Sequence, residues 1–593
     1  MKTTNKLIII LIVLLIIAGI VGYFVYRSLN PNQTSTSSST TEVTPVTDST
    51  EVSVEYSESE EADEYTNYTA KIDLNSLSST GSGVNISGST ITIQSAGTYY
   101  FSGTATANIV VNAEKQQVIL VLDNVNLTST NTSAINVIKA KEVIINSAKG
   151  STNTITDSSN YTVFTEDDEP NGCIFSKADL VINGSGKLVV KANYQDGIVS
   201  KDTLKIINAN IEITSVDDGI RGKDYVSLKN SNINITSAGD GIKATNTETD
   251  TGFISINGGS ITINSKADGI QAETYLNITN DPTINITTSG TVSTSTSQFG
   301  TSSTDDGTSS KGIKAETEIT IESGELKISS TDDAIHSNGY IIINNGNLEL
   351  SSSDDGIHAD NNIQINNGTI NITKAYEGIE SSYIEINGGK ITVKASDDGI
   401  NVCGGNDQSA FNRTGANSFT SSSNGKLIIT GGDIFVDSTG DGLDSNGSIE
   451  MTGGNVVVSG PTQNGNGPLD YDASFNITGG SLIVYGSNGM WQNTSNTSTQ
   501  YSVVFAVSGK SGDKLELKDS NGNTVLSTTT NKNYAQVLFS SSSISKGETY
   551  TLYVNGTQNA SLTANSVVTS NGTTGMGGGM QGGMQGGMQQ RMR

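Results

Sequence analysis

A chain of 593 residues with 60 acidic and 33 basic side chains carries a formal net charge of −27, which argues against nucleic acid and an anionic membrane surface as partners. Only 34% of the residues are hydrophobic and 65 are glycine, a composition that suits a thin core under a large polar surface and argues against one globular core.

Residues 1–6 hold Lys2 and Lys6, and Leu7 to Tyr26 then run without a charge up to Arg27. About 20 helical residues span ~30 Å, the thickness of a hydrocarbon core. Residues 7–27 are therefore read as a retained transmembrane signal-anchor, with 1–6 as a cytoplasmic stub. The bulk of the chain is expected outside the cell, at the cell membrane, held by a single pass. A cleaved signal peptide is the alternative. Residues 28–66 are rich in Ser, Thr and Glu, with few large apolar side chains to bury, and are expected to remain a disordered linker.

From residue 67 to 499 apolar and polar residues alternate in short runs, and no helical period is convincing. A glycine or its substitute recurs at Gly197, Gly219, Gly241, Gly269, Gly312, Ala334, Gly356, Gly378, Gly399 and Gly442. The period is about 22 residues with insertions in the longer steps, the signature of a solenoid whose repeats bury their apolar faces on one another. Residues 383–400 (Tyr-Ile-Glu-Ile-Asn-Gly-Gly-Lys-Ile-Thr-Val-Lys-Ala-Ser-Asp-Asp-Gly-Ile) supply β-branched alternation broken by turns. Three short strands per repeat describe one coil of a parallel β-helix, with coils about 4.8 Å apart.

Stacking converts a sequence column into a surface row. The residue before the glycine gives Asp196, Asp218, Asp240 and Asp268, then Lys311, then Asp333, Asp355, Glu377, Asp398 and Asp441; one residue earlier stand Asp217, Asp332, Asp354 and Asp397. At that spacing two carboxylates repel by roughly 0.9 kcal/mol in water and about 3.5 kcal/mol at an effective dielectric of 20. A lone Asp-Gly makes a turn by bonding its own backbone. Doubled acids on stacked coils point instead to Ca²⁺, with Lys311 as a built-in cation where the row is broken.

Tyr225, Phe253, Tyr275, Tyr340 and Tyr383 share a column at the first position of a strand, where alternation directs them outward. Two readings are open, a platform on which sugar rings stack and simple aromatic cover at a strand edge. Arg221 and Lys243 follow the repeat isoleucine beside the acidic row and read as counter-charges to Asp217 and Asp240. His336 and His358 lie one coil apart in a column continued by Glu380 and Asn401, and are expected to be solvated imidazoles ahead of a transition-metal pair. Insertions at about 290–310 and 403–424 leave the coil. Cys173 and Cys403 stand about nine coils apart, beyond disulfide reach. Residues 500–565, with longer strands and an Asn521-Gly522 turn, read as an antiparallel C-terminal cap, and 566–593 as a Gly/Met/Gln-rich disordered tail.

The Asp354-Asp355-Gly356-Ile357-x-Ala359 and Ile384-x-Ile386-Asn387-Gly388-Gly389 coils, the Ile119–Asp123 segment and the closing Lys546–Tyr553 stretch resemble the carbohydrate-binding-domain family of clostridial cell-surface proteins, over roughly residues 70–556. The resemblance implies a right-handed parallel β-helix of pectate-lyase-like topology that binds Ca²⁺ through repeat aspartates and takes acidic pectic polymers and cellulose. Lys311, Ala334 and Glu377 depart from the pattern.

A calcium-assisted lyase would further need a base, for which Arg221 and Lys243 are the candidates. A hydrolase would need paired carboxylic acids, and the Gly-His-Gly motif of polygalacturonases is missing. No catalytic residue is assigned. The expectation is a membrane-anchored, calcium-dependent polysaccharide-binding protein that is not an enzyme. The alternatives are a pectate-lyase-like enzyme and a structural envelope adhesin or spacer.

Overall fold

The computed structural model describes residues 50, 52–164, 169–290, 309–403 and 425–572. The stub and anchor expected at 1–27, most of both insertions and the Gly/Met/Gln tail lie outside the described residues. Among the described residues no helix is long and apolar enough to cross a membrane.

Each coil contributes three strands. Ile220–Gly222, Tyr225–Lys229 and Asn232–Thr236 make one coil, and Ile242–Ala244, Phe253–Asn257 and Ser260–Ser265 the next. All three pair in parallel with their counterparts, Ile220 with Ile242, Tyr225 with Phe253 and Asn232 with Ser260. Repetition builds a 16-stranded sheet from the short strands and a 33-stranded sheet from the longer ones, an all-β, β-helix-like solenoid. Its core is columns of aliphatic side chains such as Ile220, Ile242 and Ile270, each 0% exposed.

The repeat glycine is demanded by close approach. A Cβ on Gly219 would stand 2.6 Å from the carbonyl oxygen of Gly241 and 2.5 Å from a methyl of Ile235. The Asn-Gly-Gly turns need glycine for a second reason, since Gly389 has φ +88°.

The linker expected at 28–66 is ordered over 52–66, which lie along the outer face of the large sheet. Tyr56 and Tyr65 pack on Ile144, Val181 and Ile207, apolar side chains that strand alternation leaves outside the core. A short helix, Glu58–Glu61, starts at a capping box on Ser57 and buries Glu60. Lys205 meets Glu60 at 2.6 Å, the Tyr56 hydroxyl lies 2.7 Å from Ser227 Oγ, and the Thr50 amide donates to Glu318 at 2.8 Å. The reason for the departure is that the sheet, and not the linker itself, supplies the apolar surface needed for ordering.

At the C-terminal end Tyr534–Ser541 pairs antiparallel with both Ser481–Gly486 of the last coil and Ser502–Gly509. A four-stranded sheet follows, with a separate core that includes Phe505, Phe539, Leu515 and Leu552. The ordered chain continues past residue 566, because Val568–Ser570 adds to Ser502–Gly509 in parallel.

Candidate functional site

The acidic row lies immediately before the short strands, and its carboxylates are tied to the backbone of the following coil. Asp196 accepts the amide of Asp218 at 3.1 Å, Asp218 that of Asp240 at 2.8 Å, Asp240 that of Asp268 at 2.9 Å and Asp268 that of Lys311 at 2.7 Å. The ladder resumes with Asp333 to Asp355 at 2.9 Å, Asp355 to Glu377 at 3.2 Å and Asp398 to Asp441 at 2.6 Å. One oxygen of each carboxylate thus satisfies a buried N–H, and these side chains are buried by the coils they join.

The second oxygen meets cations from the column after the isoleucine. Arg221 lies 3.5 Å from Asp196, and Lys243 lies 2.6 Å from Asp240. Lys311 bridges Asp332 at 3.0 Å and Asp333 at 2.9 Å. His336 and His358 stand in the same column, with Nδ1 atoms 2.8 Å from Asp333 Oδ2 and 3.0 Å from Asp355 Oδ2. Expected to be solvated, both histidines are 1% exposed, because their rings fold back onto the row and lie against each other with centroids 4.9 Å apart.

Cations do not balance the row along its length. Burial and the Asp218 charge push Asp196 up to about 7, with Arg221 opposing. Burial and Asp240 push Asp218 up to about 6, and burial raises Asp441 to about 7. Burial, then Asp444 and Asp441, holds Asp398 well above the usual carboxylate range. Asp333 moves the other way, because Lys311 and His336 outweigh its burial. Carboxylate oxygens converge within 4.8 Å at Asp196, Asp217 and Asp218, at Asp332, Asp333 and Asp354, and at Asp398, Asp441 and Asp444. The first and third are oxygen-only donor sets of high charge, which fit Ca²⁺, the first with the Arg221 guanidinium 3.5 Å from Asp196 at its side. The middle one already holds Lys311. Asp397 borders the third set, and Asp240 and Asp268 serve the ladder outside these sets. Asp444 was not picked out from the sequence; its register with Asn401 is the signal that finds it.

The aromatic column is real in register but is not uniformly outward. Tyr225 and Phe253 stack with centroids 4.7 Å apart and planes 11° from parallel, and Tyr275 follows on the next coil, so Phe253 is only 7% exposed. Glu318 then separates Tyr275 from Tyr340. Tyr383, in register with Lys426, is 5% exposed, so it cannot offer a ring face to a sugar. Tyr225, Tyr275 and Tyr340 remain half-buried. Cys173 and Cys403 are both buried, and neither is in a disulfide.

Fold and site together define a parallel-stranded β solenoid with a laddered acidic row beside its short-strand sheet. A family model described as "Carbohydrate-binding domain-containing protein" matches residues 87–356 and 352–399, more than half of the chain, and the chain belongs to that family. A relative of the same description from Acetivibrio thermocellus is 38% identical over 134 residues, 22% of this chain and 47% of the relative. The match thus spans about half the length of that relative. A solved structure described as the polysaccharide lyase-like protein from C. thermocellum, gadolinium derivative, is 32% identical and covers 43% of this chain and 96% of that one, with a TM-score of 0.38.

Proposed function

We propose that the chain is an extracellular polysaccharide-binding protein that captures acidic, pectic-type polymers through Ca²⁺ held on the aspartate row, and binds without cutting. The observation that carries this reading is the pair of oxygen-only clusters, Asp196 with Asp217 and Asp218, and Asp398 with Asp441 and Asp444. Bound Ca²⁺ would supply a bridge between row carboxylates and uronate carboxylates. The chain's own residues hold the row rigid through the amide ladder, and sites repeated on a rigid scaffold act on a long polymer at high effective concentration. Family membership supports carbohydrate as the ligand class. The charge-free segment from Leu7 to Tyr26 supports anchoring at the cell membrane.

Against a lyase stand the ion pairs of both candidate bases, Arg221 with Asp196 and Lys243 with Asp240. Burial lowers the lysine pKa of Lys243, but its aspartate partners more than reverse that, so it is raised and the ammonium form is held. A neutral amine able to take a proton is thereby disfavoured. The test is a panel of polygalacturonate, methylated pectin and cellulose, with Ca²⁺ or with chelator, followed for retention and for unsaturated product in the ultraviolet. Retention of polygalacturonate with no product is expected. Sustained product formation lost in Lys243→Ala would replace this reading with the lyase.

A further inference from the structure

We propose that Asp355, His358 and Glu380 form a transition-metal site of the zinc class, different in chemistry from the oxygen-only sets of the acidic row. His358 Nδ1 lies 3.0 Å from Asp355 Oδ2 and 3.6 Å from Glu380 Oε2, and the three donor atoms fall within 4.8 Å of one another. Ligands about 2.1 Å from a tetrahedral zinc ion are ~3.4 Å apart, a value that lies between the two separations from His358 Nδ1. The donors are 3%, 1% and 0% exposed and come from two coils locked in register, His358 opposite Glu380.

The second ring nitrogen is placed to support the same role. His358 Nε2 has no hydrogen-bond partner among the described residues, and it lies 3.5 Å from Asp360 Oδ1, itself without one. A metal-ligating imidazole characteristically donates its other N–H to a carboxylate, which fixes tautomer and ring orientation. With Nδ1 on the metal, Nε2–H is directed at Asp360 and both orphaned atoms are satisfied. Cys403 Sγ, also buried, lies 2.6 Å from the other Glu380 oxygen, Oε1, and adds a soft donor beside the set. Imidazole and sulfur favour zinc, cobalt or copper over calcium.

The neighbouring set of Asp333, His336 and His358 is the weaker choice. Asp333 is already paired with Lys311 at 2.9 Å, and His336 Nε2 lies 2.8 Å from Asn338 Oδ1. A dication there would face the Lys311 ammonium.

The test is titration of the purified full chain with Zn²⁺ and Co²⁺ in excess Ca²⁺. One equivalent should bind, and the Co²⁺ form should show the intense visible bands of a tetrahedral site. His358→Gln and Glu380→Gln should each weaken Zn²⁺ binding by at least about 100-fold, while Asp217→Asn leaves it unchanged. Unaltered affinity in His358→Gln, or weak octahedral Co²⁺ bands displaced by Ca²⁺, would overturn the proposal. Should the variants fail to fold, X-ray absorption of the zinc-loaded parent decides. Imidazole scattering supports the site, and an oxygen-only shell removes it. Neither readout depends on glycan binding.

Discussion

Asp218 accepts the amide of Asp240, the residue at its own position one coil further on, at 2.8 Å. The same carboxylate therefore joins two coils and contributes charge to a candidate Ca²⁺ set, and the two roles separate by substitution. Asp218→Asn keeps the acceptor and removes a charge that burial disfavours, so in chelator near neutral pH it should leave thermal stability unchanged or raised, and it should weaken calcium binding. Asp218→Ala strands a buried N–H and should cost about 1–3 kcal/mol. Equal destabilisation by both, in calorimetry with chelator present, would contradict the ladder.

Stability without calcium should fall as pH rises. Asp196 and Asp441 are pushed to about 7, Asp218 and Asp268 to about 6, in each case first by burial. The unfolded values lie near 3.9. Between about pH 4 and 7 the folded state binds more protons than the unfolded, so stability present at pH 4 is progressively lost towards pH 7. In chelator the melting temperature should be higher at pH 5 than at pH 7.5, and added Ca²⁺ should reduce the difference by replacing protons as counter-charge. A melting temperature that rises with pH in chelator would count against it.

Lys311 is 3% exposed and neutralises both Asp332 and Asp333. Removing one partner from a buried ion pair costs about 3–5 kcal/mol. Lys311→Met should destabilise by that order in urea unfolding, with part recovered in Lys311→Met combined with Asp333→Asn. No recovery in the double variant would show that the pairing is not what Lys311 contributes.

The 22-residue period, the three strands per coil and the acidic column were legible because stacking repeats the same constraint on every coil. A Cβ on Gly219 would meet the next coil, although one coil of the series accommodates Ala334 at the same position. Less visible was the serine that closes the same turn. Ser215, Ser237, Ser330 and Ser352 each donate to the carbonyl two residues on, but serine is too common here for the column to stand out. The burial of His336 and His358 follows from side-chain direction, which alternation alone does not give. The ordering of 52–66 was hidden because its stabilising partners, Val181 and Ile207, lie more than a hundred residues away.

The column that begins with Tyr225 makes a separate prediction. Tyr275→Ala with Tyr340→Ala should weaken retention on neutral β-glucan and leave calcium affinity unchanged. Tyr383→Ala, at a buried ring, should lower stability by about 3 kcal/mol or more with little specific effect on glucan. Affinity electrophoresis with thermal melts of the same variants distinguishes the two. Unchanged glucan retention in the double variant would assign the column to packing alone.

The most direct measurement is retention of the full chain on immobilised polygalacturonate in Ca²⁺, after exchange into chelator, and after Ca²⁺ is restored, with Asp398→Asn/Asp441→Asn in parallel. The account predicts retention, release and renewed retention for the parent, and weakened retention for the variant. Equal retention with and without Ca²⁺, or none in either, would contradict it.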